Sequence, residues 1–251
     1  MVAKVDIIIP NYNNAKFLND CLSSILNQKF QEWIAYIVDD GSKDNSLEII
    51  KYFVQKDQRF KLISLTKNKG PAFCRNLALR VSNSHYVAFL DSDDYWDSSK
   101  LSLHLDHIFK NNIDFGYTDY YVFNNKKNFH FTNVKSSYNY EGFLKDTSIG
   151  TSTIILKRSI IKNIKFKKLK IMEDYVFKCD LLKKGFIAYK FNQPLTWYRL
   201  TPDSRNSSAI KNILFLWKLN RDYQKINFFK NIFLLLNICL NSIKKYHLKK
   251  Y

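Results

Sequence analysis

The sequence predicts an α/β fold built on a mostly parallel central sheet flanked by helices, and three observations predict it. Strand-like apolar runs alternate with amphipathic helical stretches along the amino-terminal part of the chain. A polar loop follows each of these strands, so the loops gather on one sheet edge, where open α/β sheets bind their ligands. The run Tyr86-Val87-Ala88-Phe89-Leu90 is wholly apolar, as a central strand buried on both faces requires, and it stops in Asp91, Asp93 and Asp94.

Taken in order, Val5 to Pro10 reads as the first strand and Asn11-Tyr12-Asn13-Asn14 as a turn whose side chains bond backbone or ligand. A helix from Ala15 to Gln28 follows, with Phe17, Leu18, Cys21, Leu22, Ile25 and Leu26 on one face. The unit repeats: Trp33 to Val38 as strand, Asp39-Asp40-Gly41-Ser42-Lys43-Asp44 as loop, Ser46 to Gln55 as helix. Lys61 to Leu65 is a third strand, leading through Asn68-Lys69-Gly70-Pro71 into a helix from Ala72 to Val81 and then to the Tyr86 strand. Beyond Trp96 comes a helix from Leu101 to Lys110, with His104 and His107 expected on its surface. The Tyr-, Phe- and Asn-rich stretch Asp114 to Tyr140 alternates, as in Asn128-Phe129-His130-Phe131, which predicts antiparallel strands. Ser152 to Leu156 reads as a further strand and Glu173 to Lys183 as a helix.

With 46% hydrophobic residues the chain has ample core material, and its 6 Gly and 4 Pro argue against disordered or fibrous classes. Cys21, Cys74, Cys179 and Cys239 show no zinc or redox spacing and fit reduced thiols in a cytoplasmic protein. The amino terminus reads as a strand, not a signal peptide. A formal charge of +18 calls for a polyanionic partner: nucleic acid, anionic lipid or a phosphorylated ligand. Residues 205–251 hold ten Lys or Arg against the single acid Asp222, half of that excess. Their apolar stretches, Phe228-Phe229 and Ile232 to Leu236, are too short and interrupted for a spanning helix. Two readings stand: an interfacial amphipathic helix, or a helix that covers the core. On the first, deleting residues 226–251 releases the protein from anionic liposomes.

Each acidic cluster has a chemical and a bland reading. Asp39-Asp40 past a strand end can accept the imide N–H of uracil or a ribose hydroxyl, with Gly41 letting the backbone turn close to the ligand; equally, Ser42 or Asp44 caps the next helix. Asp91 and Asp93 can hold a hard divalent ion that completes its shell with phosphate oxygens. The alternative is three acids that merely end a strand. Glu173-Asp174 opens a helix, where carboxylates offset the dipole; a general base is the other reading. Arg75 and Arg199 suit a diphosphate or a surface ion pair. The run from Lys157 to Lys170 is a solvated face, or faces an anionic acceptor or membrane surface.

As an ordered series, Ile7-Ile8-Ile9-Pro10-Asn11-Tyr12-Asn13, Val38-Asp39-Asp40-Gly41-Ser42, Asn68-Lys69-Gly70 with Arg75-Asn76, Asp91-Ser92-Asp93-Asp94 and Glu173-Asp174 resemble the family 2 glycosyltransferases of the GT-A fold. The resemblance implies a Rossmann-like sheet with a small antiparallel acceptor-side sheet. It divides the chain into a nucleotide-sugar half (1–97), an acceptor half of the same domain (98–205) and a basic amphipathic helical tail (206–251). It implies an inverting, metal-dependent transferase moving a sugar from a nucleotide-sugar, usually a UDP-sugar, to a saccharide or lipid-linked saccharide in surface polysaccharide synthesis. Pro10, Asn11 and Tyr12 would line the base and ribose pocket, Asp40 would hold uracil, and Asp91 would touch ribose or sugar. Asp39, Gly70, Arg75 and Ser92 complete the donor-binding set. Asp93, with Asp91, would ligate Mg2+ or Mn2+; Asp174 would be the base, with Glu173 as second candidate. Inversion needs the base opposite the leaving group, on a segment remote from the metal. The late segment Tyr198 to Ser204 lacks the histidine often found in the family.

The expected setting is the cytoplasm, at the inner face of the plasma membrane through the tail. Two rivals stay beside this reading. A sugar-phosphate nucleotidyltransferase would carry a Gly-rich basic loop where this chain has Asn11-Tyr12-Asn13-Asn14. A non-enzymatic polyanion binder fits the charge, but a nucleic-acid backbone would be repelled by acids on the loop edge, so no nucleic-acid partner is expected.

Overall fold

A computed structural model of the chain describes residues 4–123, 129–132, 134–201 and 209–247. Three strand–helix units open it: β1 (Val5–Asn11), α1 (Ala15–Leu26), β2 (Trp33–Asp39), α2 (Ser46–Lys56), β3 (Phe60–Ser64) and α3 (Pro71–Val81). They lead to β4 (Tyr86–Phe89), β5 (Tyr95–Trp96), α4 (Lys100–Lys110) and β6 (Phe115–Phe123). Then follow β7 (Phe129–Thr132), β8 (Ser137–Tyr138), α5 (Tyr140–Lys145), a 3-10 turn (Thr151–Thr153), β9 (Ile155–Lys157) and α6 (Arg158–Ile161). The chain continues through α7 (Glu173–Lys183), β10 (Ala188–Arg199), α8 (Ala209–Asp222) and α9 (Phe228–His247).

One ten-stranded sheet runs β3-β2-β1-β4-β9-β6-β10-β5, with β7 beside β6 and β8 beside β10. β1, β2, β3 and β4 pair in parallel, as do β6 and β10. The antiparallel strands expected downstream are present, and they continue this same sheet: β9 joins β4 to β6, and β7 pairs with β6.

The side-chain period of two sends successive residues to opposite faces. Ile7 and Ile9 therefore pack with α1, α2 and α4 on one face, while Ile8, Val87 and Phe89 join α3 and α7 on the other. The inner faces of α8 and α9 reach that second cluster through Leu216, Leu219, Leu234 and Leu235.

Two expectations are corrected, and one strand was not foreseen. Ser152 lies in the 3-10 turn, which the Thr153 hydroxyl closes by donating to the Gly150 carbonyl at 2.7 Å, so the strand starts only at Ile155. His104 is fully buried, its Nδ1 2.7 Å from the ammonium of Lys100, also buried. The twelve-residue β10 shows no clean strand pattern, because Pro194 sits at register shifts against β6; proline is tolerated in a strand only at such irregularities or at edges.

Candidate active site

The carboxyl ends of β1, β2 and β4 bring the polar loops together, as parallel pairing of three strands at one sheet edge dictates. Asp39 ends β2 almost fully buried, accepting from Asn11 Nδ2 at 2.9 Å, the Ser42 amide at 3.1 Å and Ser42 Oγ at 2.5 Å. It was expected beside the ligand; instead it braces the loop, and unlike Asp40 it is not among the residues that line the cavity these loops enclose. Asp40, its neighbour, points the other way. Its two oxygens accept from the Lys69 and Gly70 amides at 2.8 and 2.7 Å and so pin the third loop against the second. Gly41 has φ +75, and a Cβ there would stand 3.2 Å from the Lys67 backbone, which explains glycine at this crossing.

These loops enclose a cavity of about 910 Å³ whose lining includes Pro10, Asn11, Tyr12, Asp40, Gly70 and Asp93. Asn14 Nδ2 donates to Ser92 Oγ at 2.8 Å and ties the first loop to the acidic one. Lys170, from the downstream basic run, lines the same cavity. Lys157 and Arg158 of that run are committed elsewhere, to Asp114 at 3.2 Å and Asp6 at 2.6 Å.

The three acids after β4 separate by environment. Asp94 is buried, taking the Ser152 hydroxyl at 2.5 Å and the Arg199 amide at 2.9 Å. Burial, then the charges of Asp93 and Asp91, push its carboxyl well above the ordinary range. Asp91 and Asp93 line the 910 Å³ cavity, and Asp91 is about a third exposed. Among the described residues no group of three His, Cys, Asp or Glu side chains forms a complete metal cage. Two accessible carboxylates one residue apart are nevertheless the donor set of an ion that draws its other ligands from phosphate and water, so Mg2+ or Mn2+ fits here.

A second cavity, of about 260 Å³, adjoins the first and shares Arg75, Asp91 and Tyr198 with it. Asp174 lines it from the first turn of α7. Thr151 Oγ1 and Lys178 Nζ both donate to its Oδ2 at 2.8 Å. Burial raises the Asp174 pKa, but the Lys178 ammonium, Arg75 and the Thr151 bond outweigh it and hold the carboxyl well below the usual range. Met172, just before the helix, takes a left-handed backbone at φ 60, a strained conformation for a side chain of its size.

Glu173 and Arg75 depart from expectation. The Arg75 guanidinium is 3% exposed and forks between Asp91 Oδ1 at 2.5 Å and Glu173 Oε1 at 2.9 Å. It is not held out for a diphosphate, and Glu173, ion-paired and buried, is poorly placed to take a proton. Arg199 is likewise committed: it bonds the Asp93 carbonyl at 2.9 Å and Asp20 at 2.8 Å, and stacks over Phe17 and Phe123. Ser204 lies outside the described residues. Sequence reasoning missed Thr151, Tyr198 and Lys178; of these, Lys178 was visible as the i+4 partner of Asp174 on a helix.

Residues 6–174 match the profile of glycosyl transferase family 2. The chain belongs to that family. This family 2 glycosyltransferase is 32% identical over 250 residues to the Escherichia coli UDP-Glc:alpha-D-GlcNAc-diphosphoundecaprenol beta-1,3-glucosyltransferase WfgD, covering 96% of this chain and 94% of that one. To WfaP, which carries the same activity in its name and comes from the same species, it is 36% identical over 213 residues, or 84% of this chain and 82% of WfaP. Its fold superposes on Staphylococcus aureus TarS 1–349 in complex with UDP-GlcNAc with a TM-score of 0.72 at 21% identity, covering 98% of this chain and 74% of TarS. The family 2 glycosyltransferase thus has the GT-A architecture, and the nucleotidyltransferase and non-enzymatic readings fall away.

Proposed function

We propose that this glycosyltransferase moves a hexose from a UDP-sugar, with inversion, to a hydroxyl of a lipid-linked saccharide in surface polysaccharide synthesis. The observation that carries the reading is the pair of cavities meeting at Asp91 and Arg75, with Asp40 and Asp93 on one side and Asp174 on the other. The larger cavity takes the nucleotide: Pro10, Asn11 and Tyr12 line the base and ribose space, Asp40 accepts from uracil, and Lys170 adds positive charge for the diphosphate. Mg2+ or Mn2+ held by Asp93 and Asp91 would act as a Lewis acid that offsets charge growing on the leaving diphosphate.

The smaller cavity takes the acceptor. With Thr151 and Lys178 both on Oδ2, the other oxygen of Asp174 accepts the hydroxyl proton as the oxygen attacks the anomeric carbon. Arg75 holds the donor-side and base-side carboxylates at fixed separation. WfgD and WfaP are named for transfer from UDP-Glc to a diphosphoundecaprenol-linked sugar, which supports a lipid-linked acceptor and an enzyme working at the inner face of the plasma membrane, reached through the basic tail.

The test is titration calorimetry with UDP, with and without Mn2+. Metal-enhanced binding that Asp93→Asn abolishes is the expected result. Heat that ignores metal, or none, would overturn the metal and diphosphate reading.

A further inference from the structure

α9 carries apolar side chains on two opposite sides, and only one of these sides is buried against the core. Asn231, Leu234 and Leu235 are buried against the core, whereas Phe229, Phe233, Leu236 and Leu240 share the opposite face at helical spacing and stand exposed, Phe229 by 82%. On α8, Ile210 and Leu214 repeat the pattern one turn apart, Ile210 being 73% exposed. A second apolar face turned to solvent calls for a partner or a lipid boundary, since exposed apolar patches on soluble monomers mark interaction sites. Among the described residues, no helix is long and apolar enough to cross a membrane.

Cations frame the face. Lys211, Lys218, Arg221 and Lys225 are exposed on or beside the two helices, Lys230 is exposed but ion-paired to Glu141 of α5 at 2.8 Å, and Asp222 is the lone acid in residues 205–251. That charge selects the occupant. A second copy docking about a two-fold axis would set like cations against each other. An anionic bilayer surface attracts them while its acyl boundary accepts the aromatic and aliphatic side chains.

The two helices are fixed to the catalytic body and are not a loose appendage. Tyr175, the neighbour of Asp174, donates its hydroxyl to Asn220 Oδ1 at 2.6 Å. Asn220 Nδ2 donates to Asn231 Oδ1 at 2.8 Å, and Asn231 Nδ2 to the Trp217 carbonyl at 3.1 Å. All three side chains are buried. On its other flank α9 meets α5: Asn241 Nδ2 donates to the Lys145 carbonyl at 3.0 Å, and Lys230 pairs with Glu141 at 2.8 Å. The chain runs from α5 directly into Thr147–Thr151, a wall of the acceptor cavity.

We infer that the outer face of the α8–α9 hairpin is a rigid docking surface for an anionic bilayer, with Phe229, Phe233, Leu236 and Leu240 entering the acyl boundary and the surrounding cations on lipid phosphates. Docking there holds the acceptor cavity close to the membrane, where an amphipathic saccharide lipid presents its head. This sharpens the lipid-linked acceptor reading and rests on it.

The full-length chain is floated with vesicles of phosphatidylcholine alone or mixed with phosphatidylglycerol, and UDP binding is measured in parallel. Wild-type protein should float with the anionic vesicles and be released by salt. The double variant Phe229→Ser/Phe233→Ser, altered only at exposed positions, should bind them roughly a hundredfold more weakly with UDP binding intact. Lys218→Glu/Lys225→Glu, a second variant independent of the aromatic pair, should lose the preference for the anionic vesicles. Flotation of either variant equal to wild type overturns the proposal. So does a wild-type dimer in light scattering that the serine variant splits. UDP binding without any flotation refutes docking and leaves the transferase reading standing; flotation without UDP binding does the reverse.

Discussion

In the proposed mechanism the chemistry turns on Asp174, and Lys178 is its ion-pair partner. A base must be unprotonated to work, and Lys178, Thr151 and Arg75 keep Asp174 ionised to well below the ordinary carboxylate range against the opposing pull of burial. Asp174→Asn should lower kcat by roughly a hundred- to ten-thousandfold, the usual worth of a general base, while UDP affinity in calorimetry stays unchanged. Lys178→Met removes the charge that holds the pKa down and leaves the burial that raises it. Its acid limb in a pH profile of kcat/KM should therefore move upward, and an unshifted limb would mean that Asp174 is not the titrating base. The linkage has a matching sign: a depressed folded pKa stabilises the fold above the ordinary carboxylate value, and that contribution fades as pH falls through the folded value. Asp91, Asp93 and Asp94 carry the same lesson in another form. One apolar strand delivers three identical side chains, and their surroundings give two to the cavity and one to the scaffold.

Arg75 joins elements that nothing in the sequence connects. It leaves α3, reaches the loop after β4 through Asp91 and the start of α7 through Glu173, a residue 98 positions away. Arg75→Met would take the guanidinium from Glu173, a carboxylate that is buried, whereas Asp91 retains solvent. A loss of about 3–5 kcal/mol is expected, the cost of breaking a buried pair by one partner. Adding Glu173→Gln should recover part of it, because the buried negative charge that Arg75 offsets is then gone; thermal melts of the single and double variants decide. This strut marks the border of what the sequence made legible. The strand–helix units, the acidic loop ends and the base-bearing helix followed from period and from acids placed after apolar runs, which are local signals. Pairings such as Arg75 with Glu173, or Asp39 with Asn11, depend on which loops the sheet order brings together, and no local pattern encodes that. β10 stayed hidden for a different reason: Pro194 and its neighbouring polar residues break the alternation that identifies a strand.

At the scale of the whole molecule, carboxylates as distant as Asp40 and Asp174 meet across two joined cavities, and this convergence was the condition on which the sequence reading depended. The tail belongs to the same body. An interfacial helix and a cover for the core read as alternatives in the sequence, yet α9 has a face for each: Leu234 and Leu235 cover the core, and Phe229, Phe233, Leu236 and Leu240 stand exposed on the side proposed to dock. Deleting residues 226–251 should therefore do more than abolish the proposed docking. It uncovers the core beneath Leu234 and Leu235 and strands Asn220, whose amide donates to Asn231. Truncating a single buried leucine to alanine costs about 2–5 kcal/mol. Two such losses and a broken buried hydrogen bond approach the roughly 5–15 kcal/mol that holds a typical domain together. The truncated chain should be insoluble or melt far below the full chain and lose UDP binding, while Phe229→Ser/Phe233→Ser melts like wild type. A truncated protein that keeps its melting temperature and its affinity for UDP would show that the hairpin is an appendage, and that the Tyr175–Asn220–Asn231 chain adds nothing to the helix that carries the base.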